Sequence, residues 1–97
     1  MKLQSVGDGY GGTLFDSTLI VWASECGNPW FHDRHDVAWT LGGSAQGHFK
    51  TGRYFKFPMG TPHNRLLLSL FEGMGVPRSS FGGASYCTDG PLAALRA

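Results

Sequence analysis

Long apolar runs are missing from this chain. No stretch approaches the ~20 residues that a membrane-spanning helix needs, so no membrane span is expected. The first dozen residues hold one lysine and no apolar segment of the signal-peptide kind, so no export signal is expected within the chain itself. Runs of one charge are missing too. Lys2, Arg34, Lys50, Arg53, Lys56, Arg65, Arg78 and Arg96 are scattered, and the net charge is only +1. Such a pattern cannot neutralise a line of phosphates, which argues against a nucleic-acid partner. Cysteine is scarce. Cys26 and Cys87 allow one disulfide or two free thiols, and they exclude the paired-cysteine metal motifs.

What is present is a globular composition. Hydrophobic residues make up 41% and charged residues 15%, which excludes disorder driven by low hydrophobicity and high charge. Ninety-seven residues bound the chain to one domain at most. The fifteen glycines fall in pairs and turns instead of a repeat, which predicts many tight loops.

Residues 1–12 read as a loop or as the tail of a preceding helix. The stretch that organises the chain follows, over 13–43. Thr18-Leu19-Ile20-Val21-Trp22-Ala23 is continuously apolar and rich in β-branched and aromatic residues. That pattern predicts a strand covered on both faces, as in a parallel α/β sheet. Gly27 and Pro29 break it, Gly27 by permitting a positive φ. Val37-Ala38-Trp39-Thr40-Leu41 reads as a second strand, closed by Gly42-Gly43. The dozen or so residues between the runs are long enough for a parallel crossover. They lack helical periodicity, and long loops of that kind are usually functional.

Residues 44–60 read as a connection. Within it Arg53-Tyr54-Phe55-Lys56-Phe57 predicts a short strand with Phe55 and Phe57 facing inward and a solvated basic face. A helix is expected over 61–75, with Thr61 as N-cap and Pro62 at its first position. Its apolar face is Leu66, Leu67, Leu70, Phe71 and Met74. Residues 76–97 read as a C-terminal loop, with Phe81 plugging the core, a turn over Cys87–Pro91 and one last helical turn over Pro91–Leu95.

Chemistry-bearing residues concentrate between the two apolar runs. Glu25, His32 and His35, with Asp36, are a carboxylate and imidazoles on strand-end loops, where ligands of open α/β sheets sit. Mixed oxygen and nitrogen donors suit a divalent metal such as Zn, Mn or Fe(II), which polarises an ester oxygen or activates water. The bland alternative is an exposed acid and exposed imidazoles. Cys26 is a candidate nucleophile if a histidine lowers its pKa, and equally a small buried hydrophobe or half of a disulfide. His63 and Asn64 either line an anion site at the helix start or simply help to cap it. His48 is expected at the surface.

The order of motifs resembles the C-terminal part of the bacterial exported proteins known as domain of unknown function 1552. The pieces are Gly12-Thr13-Leu14 with Asp16 and Thr18, Val21-Trp22, Ser24-Glu25 with Gly27, and His32. Gly42-Gly43, Lys50-Thr51-Gly52-Arg53-Tyr54 and Pro62-His63-Asn64 continue it. Gly75-Val76-Pro77, Phe81-Gly82, Tyr86-Cys87 and Gly90-Pro91-Leu92 complete it, nearly spanning the chain. The resemblance implies a C-terminal fragment of a larger alkaline-phosphatase-like or sulfatase-like domain. It implies a periplasmic or extracellular parent, and a missing upstream part that carries the nucleophile. In that superfamily a strand ends in an Asp-His-Gly ligand turn. Glu25-Cys26-Gly27 stands here, so Glu25 and His32 carry over as ligands while Cys26 departs from the pattern.

The resulting expectation is an α/β fragment of a mainly parallel sheet, with two or three short strands, one main helix and long glycine-rich loops. Its expected role is part of a Zn- or Mn-dependent sulfatase- or phosphatase-like site, inactive alone. The alternative is a non-catalytic exported binding or structural module, in which Trp22, Trp30 and Trp39 serve packing or carbohydrate stacking. A third reading is a small autonomous domain held by a Cys26–Cys87 disulfide.

Overall fold

The computed structural model describes residues 2–97. A short helix α1 (Lys2–Ser5) leads into a glycine-rich turn. Strands β1 (Leu19–Ala23) and β2 (Trp39–Gly43) follow, then the main helix α2 (Asn64–Gly73) and two single 3-10 turns at Ala84–Tyr86 and Ala93–Leu95.

The sheet corrects the expected fold class. β1 and β2 pair antiparallel in a two-stranded ribbon, with Leu19 opposite Gly43, Val21 opposite Leu41 and Ala23 opposite Trp39. A parallel pair needs a crossover that carries the chain back to the starting end, usually a helix. Residues 24–38 form no helix. They fold back on themselves through an isolated bridge between Asn28 and Asp33, so the chain re-enters beside β1 in the opposite sense. The ribbon is not covered on both faces either: Trp22 is 77% exposed, and Ile20 and Val21 are exposed as well. The segment expected as a third strand, Arg53–Phe57, has no strand structure. Phe55 and Phe57 stack on each other instead, ring centres 5.9 Å apart.

The core lies around α2 and contains Phe49, Leu66, Leu68, Cys87 and Leu92. The buried side of the helix is not the apolar stripe that periodicity marks. Leu66 is buried, but Leu68 and Ser69 are the other buried residues, while Leu67, Leu70 and Phe71 are half-buried and Met74 is exposed. At 3.6 residues per turn, Arg65, Ser69 and Glu72 share one stripe, and the C-terminal segment docks along it. Arg65 donates to the carbonyls of Gly90 (2.9 Å), Asp89 and Pro91 (both 3.4 Å). Ser69 accepts from the Leu92 N–H at 2.8 Å and donates to the Arg65 carbonyl at 3.1 Å. Glu72 takes a two-pronged contact from Arg96, at 2.7 and 2.9 Å. Polar side chains thus select the buried side, because the returning backbone has donors and acceptors to satisfy.

Two further expectations change at the helix ends. His63 is the N-cap and makes no side-chain capping bond, while Thr61 donates to the Pro58 carbonyl at 2.7 Å in the preceding turn. Phe81 does not plug the core. It is 46% exposed and leans on Phe71, centroids 5.4 Å apart.

Residues 44–50 tie ribbon to helix. The Ala45 and Gln46 N–H groups donate to Thr18 and Asp16 at 3.1 and 2.8 Å. Phe49 bridges to Arg96, and its ring lies against Gly73 of α2. A Cβ on Gly73 would overlap Phe49 Cε2 and stand 2.9 Å from Cζ, and Phe49 is only 3% exposed, so the ring has little room to yield. His48, expected at the surface, is half-buried here, edge-on to Phe49 at 4.7 Å.

Gly73→Ala therefore sets helix propensity against overpacking. The propensity gain is about 0.5–1 kcal/mol and the overpacking cost about 1–3 kcal/mol. Denaturant melts are expected to show net destabilisation, and adding Phe49→Leu to Gly73→Ala is expected to cost less than the two single changes summed. Leu68→Ala, at a side chain with no exposed surface, is expected to cost about 2–5 kcal/mol.

Candidate functional site

The loop over residues 24–38 leaves β1 at Ala23 and re-enters the ribbon at Trp39. Its folding depends on Gly27, though not for the reason the sequence offers. The φ of Gly27 is not positive. Its missing Cβ matters instead: the position a Cβ would take is filled by the His35 carbonyl group, with the carbonyl carbon at 2.9 Å. The His35–Asp36 backbone thus crosses directly over Gly27. The Gly27 N–H donates to Asp33 O at 2.7 Å, and Asn28 and Asp33 exchange backbone bonds at 3.5 and 3.0 Å. His32 and Asp36 both sit in left-handed conformations, φ 51° and 52°. Non-glycine residues adopt that region uncommonly.

Within this loop one pair of site-type side chains meets. Asp33 Oδ1 lies 2.5 Å from His35 Nδ1, and it also accepts the His35 backbone N–H at 2.9 Å. Donation from Nδ1–H leaves His35 Nε2 as the free nitrogen in the neutral ring. The pair is open to solvent, with the two side chains 82% and 43% exposed for His35 and Asp33. The His35 backbone N–H, then the ring hydrogen bond and the imidazole charge, hold the Asp33 carboxyl below its ordinary value.

The other predicted residues are placed as follows. Glu25 and His32 are exposed, and neither makes a side-chain hydrogen bond or ion pair with a described residue. No three His, Cys, Asp or Glu side chains among the described residues come together as a metal-binding group. Cys26 is a half-buried free thiol, and its backbone N–H donates to Ser24 Oγ at 3.3 Å. Cys87 is a buried free thiol whose Sγ sits 3.3 Å from both the N and the O of Phe81. The disulfide alternative is therefore not formed. Asn64 donates through Nδ2 to Phe81 O at 2.7 Å, tying the start of α2 to the C-terminal loop instead of capping the helix. The His63 ring is tilted against Trp39, centroids 6.0 Å apart.

The tertiary structure joins two candidates that the sequence separates. His35, Asp36, His63 and Asn64 all line a single open groove of about 1100 Å³. Its walls also carry Trp39 and the irregular segment 49–62. Glu25, Cys26 and His32 lie outside its lining. Sequence reading passed over Asp33 as a site residue, although the Asp-x-His spacing that lets a carboxylate reach back to an imidazole was there to be read.

No helix among the described residues is long and apolar enough to cross a membrane. No family model, curated protein or solved structure matches the chain, so the resemblance to domain of unknown function 1552 rests on the order of its motifs.

The Asp33 carboxylate is held in its charged form, so its contribution to loop order is present above the unfolded value of 3.8 and is lost as pH falls through the lower folded value. NMR titration of the Asp33 side chain is expected to show a midpoint below 3.8. In His35→Ala the backbone N–H remains while the ring contact goes, so the midpoint is expected to move only part of the way back.

Proposed function

We propose that loop 24–38 contributes part of a divalent-metal-dependent, hydrolase-like site for sulfate or phosphate esters, which the described residues do not complete. The observation that carries this reading is the Asp33–His35 pair. A carboxylate behind an imidazole fixes its tautomer and orients the ring, the common support for a metal-ligating histidine. Left-handed backbone at His32 and Asp36 adds support, because strained conformers cluster at functional sites.

The donors fit a Zn or Mn ion in part. His35 offers a backed, accessible nitrogen, while Glu25 and His32 are chemically suitable but not gathered around it. When bound, such an ion would polarise the ester oxygen. The chain's own residues would hold it from one side: His35 as ligand, Asp33 behind it, and Glu25 and His32 drawn in from the same loop. The remaining ligands and the nucleophile belong, in this reading, to the preceding part of a longer exported protein. The uncovered ribbon supports that arrangement, since Trp22, Ile20 and Val21 present apolar surface that further structure would bury. The same uncovered ribbon, with Cys26 where the superfamily places a ligand, supports a second reading as a non-catalytic binding or structural module.

Isothermal titration of the 97-residue chain with Zn and with Mn separates the two. Binding is expected, without turnover of aryl sulfate or phosphate esters. Affinity is expected to drop about 10–100-fold in Asp33→Asn and further in His35→Ala. Unchanged affinity in both variants removes the pair from any metal site and leaves the module reading.

A further inference from the structure

The groove over residues 34–66 separates the chain's charges. It is lined by Arg34, Lys50, Arg53 and Lys56, four of the eight lysines and arginines, against Asp36, one of the seven carboxylates. Among the described residues none of these four cations pairs with a carboxylate. The ion pairs present are Asp33–His35, with His35 at the groove lining, and Glu72–Arg96 on the helix. Arg53 donates to the carbonyls of Lys50 and Ala94 at 3.0 and 3.1 Å and stacks over Phe55 at 4.8 Å. It is fixed in place with its charge uncompensated.

The same walls expose aromatic faces. Tyr54 is 86% exposed and Tyr86 58%, and both line the groove. Phe55 lies beneath Arg53 and stacks on Phe57 in the wall that carries Lys50 and Lys56.

We propose that this groove binds an acidic polysaccharide. Uncompensated cations spaced along an open groove attract a polyanion. Exposed tyrosine rings give flat apolar faces for the C–H faces of sugar rings, with a hydroxyl at the tip for their polar edges. Two other polyanions fit less well. An acidic peptide is also attracted by clustered arginines, but its carboxylate side chains offer the exposed Tyr54 and Tyr86 rings no flat face to stack on. A single-stranded nucleic acid needs a longer cationic track than four bases in a chain of net charge +1. The proposal rests on the groove and not on the metal reading.

The test is a binding titration of the 97-residue chain with polygalacturonate, with chelator present so that a metal site plays no part. Neutral dextran, poly-glutamate and oligo-thymidylate are run beside it. Polygalacturonate is expected to bind at least about tenfold more tightly than each of the other three. Added salt is expected to weaken it. The double variant Lys50→Gln, Lys56→Gln is expected to lose about tenfold. Tyr54→Ala is expected to lose about three- to tenfold, with Tyr54→Phe keeping most of the affinity and circular dichroism confirming an unchanged fold. The proposal is overturned by absent polygalacturonate binding, by poly-glutamate or oligo-thymidylate binding as tightly, or by a Tyr54→Ala variant that binds like the parent.

Discussion

The contact of Phe49 with Gly73 is the constraint on which the rest of the arrangement depends. It lets the 44–50 segment lie directly on α2, because the helix has no Cβ at the point of contact. The same short segment holds the ribbon through Ala45 and Gln46 and holds the C-terminus through the Phe49–Arg96 bridge and the bond from Ala97 N–H to His48 O. Ribbon, helix and tail thus meet at one buried aromatic ring. Glycine costs helix stability by its backbone freedom, and its use in the last turn of α2 follows from this approach.

The helix is held on its polar side as well as on its apolar side. Arg65, Ser69 and Glu72 receive the returning chain from Asp89 to Arg96, which leaves Leu67, Leu70 and Phe71 half-buried and Met74 exposed. Together with the uncovered β1 residues, this gives the molecule more apolar surface than its small core can use. That surface is compatible with both proposed readings, a part of a hydrolase-like site and a non-catalytic binding or structural module.

The proposed metal site lies where backbone geometry is least ordinary. Gly27 admits the His35–Asp36 backbone over the exit of β1, and Asp33 turns back to hold the His35 ring. The end of the loop lines the groove together with His63 and Asn64. The backed imidazole, the unpaired cations and the exposed tyrosines are therefore neighbours along one open surface, although they come from three separate parts of the chain.

The sequence by itself determined the local pieces. Two apolar runs gave two strands because their β-branched and aromatic residues suit a pleated backbone. Leucine spacing and Gly75 placed a helix over 61–75, of which Asn64–Gly73 is helical, and Gly90 with Pro91 marked the last turn. The concentration of His, Asp and Glu between the runs marked the loop that holds the Asp33–His35 pair. Only the tertiary structure decided how the pieces meet. Strand direction depends on whether residues 24–38 form a crossover, and that is settled by backbone bonding between Asn28 and Asp33, which periodicity does not record. The buried side of α2 was set by hydrogen bonds to a segment more than twenty residues away, because a returning backbone must satisfy its polar groups even where leucines are available. The groove joining His35 to His63 is likewise a long-range product: the Trp39 and His63 rings meet within it, a contact that no local pattern encodes.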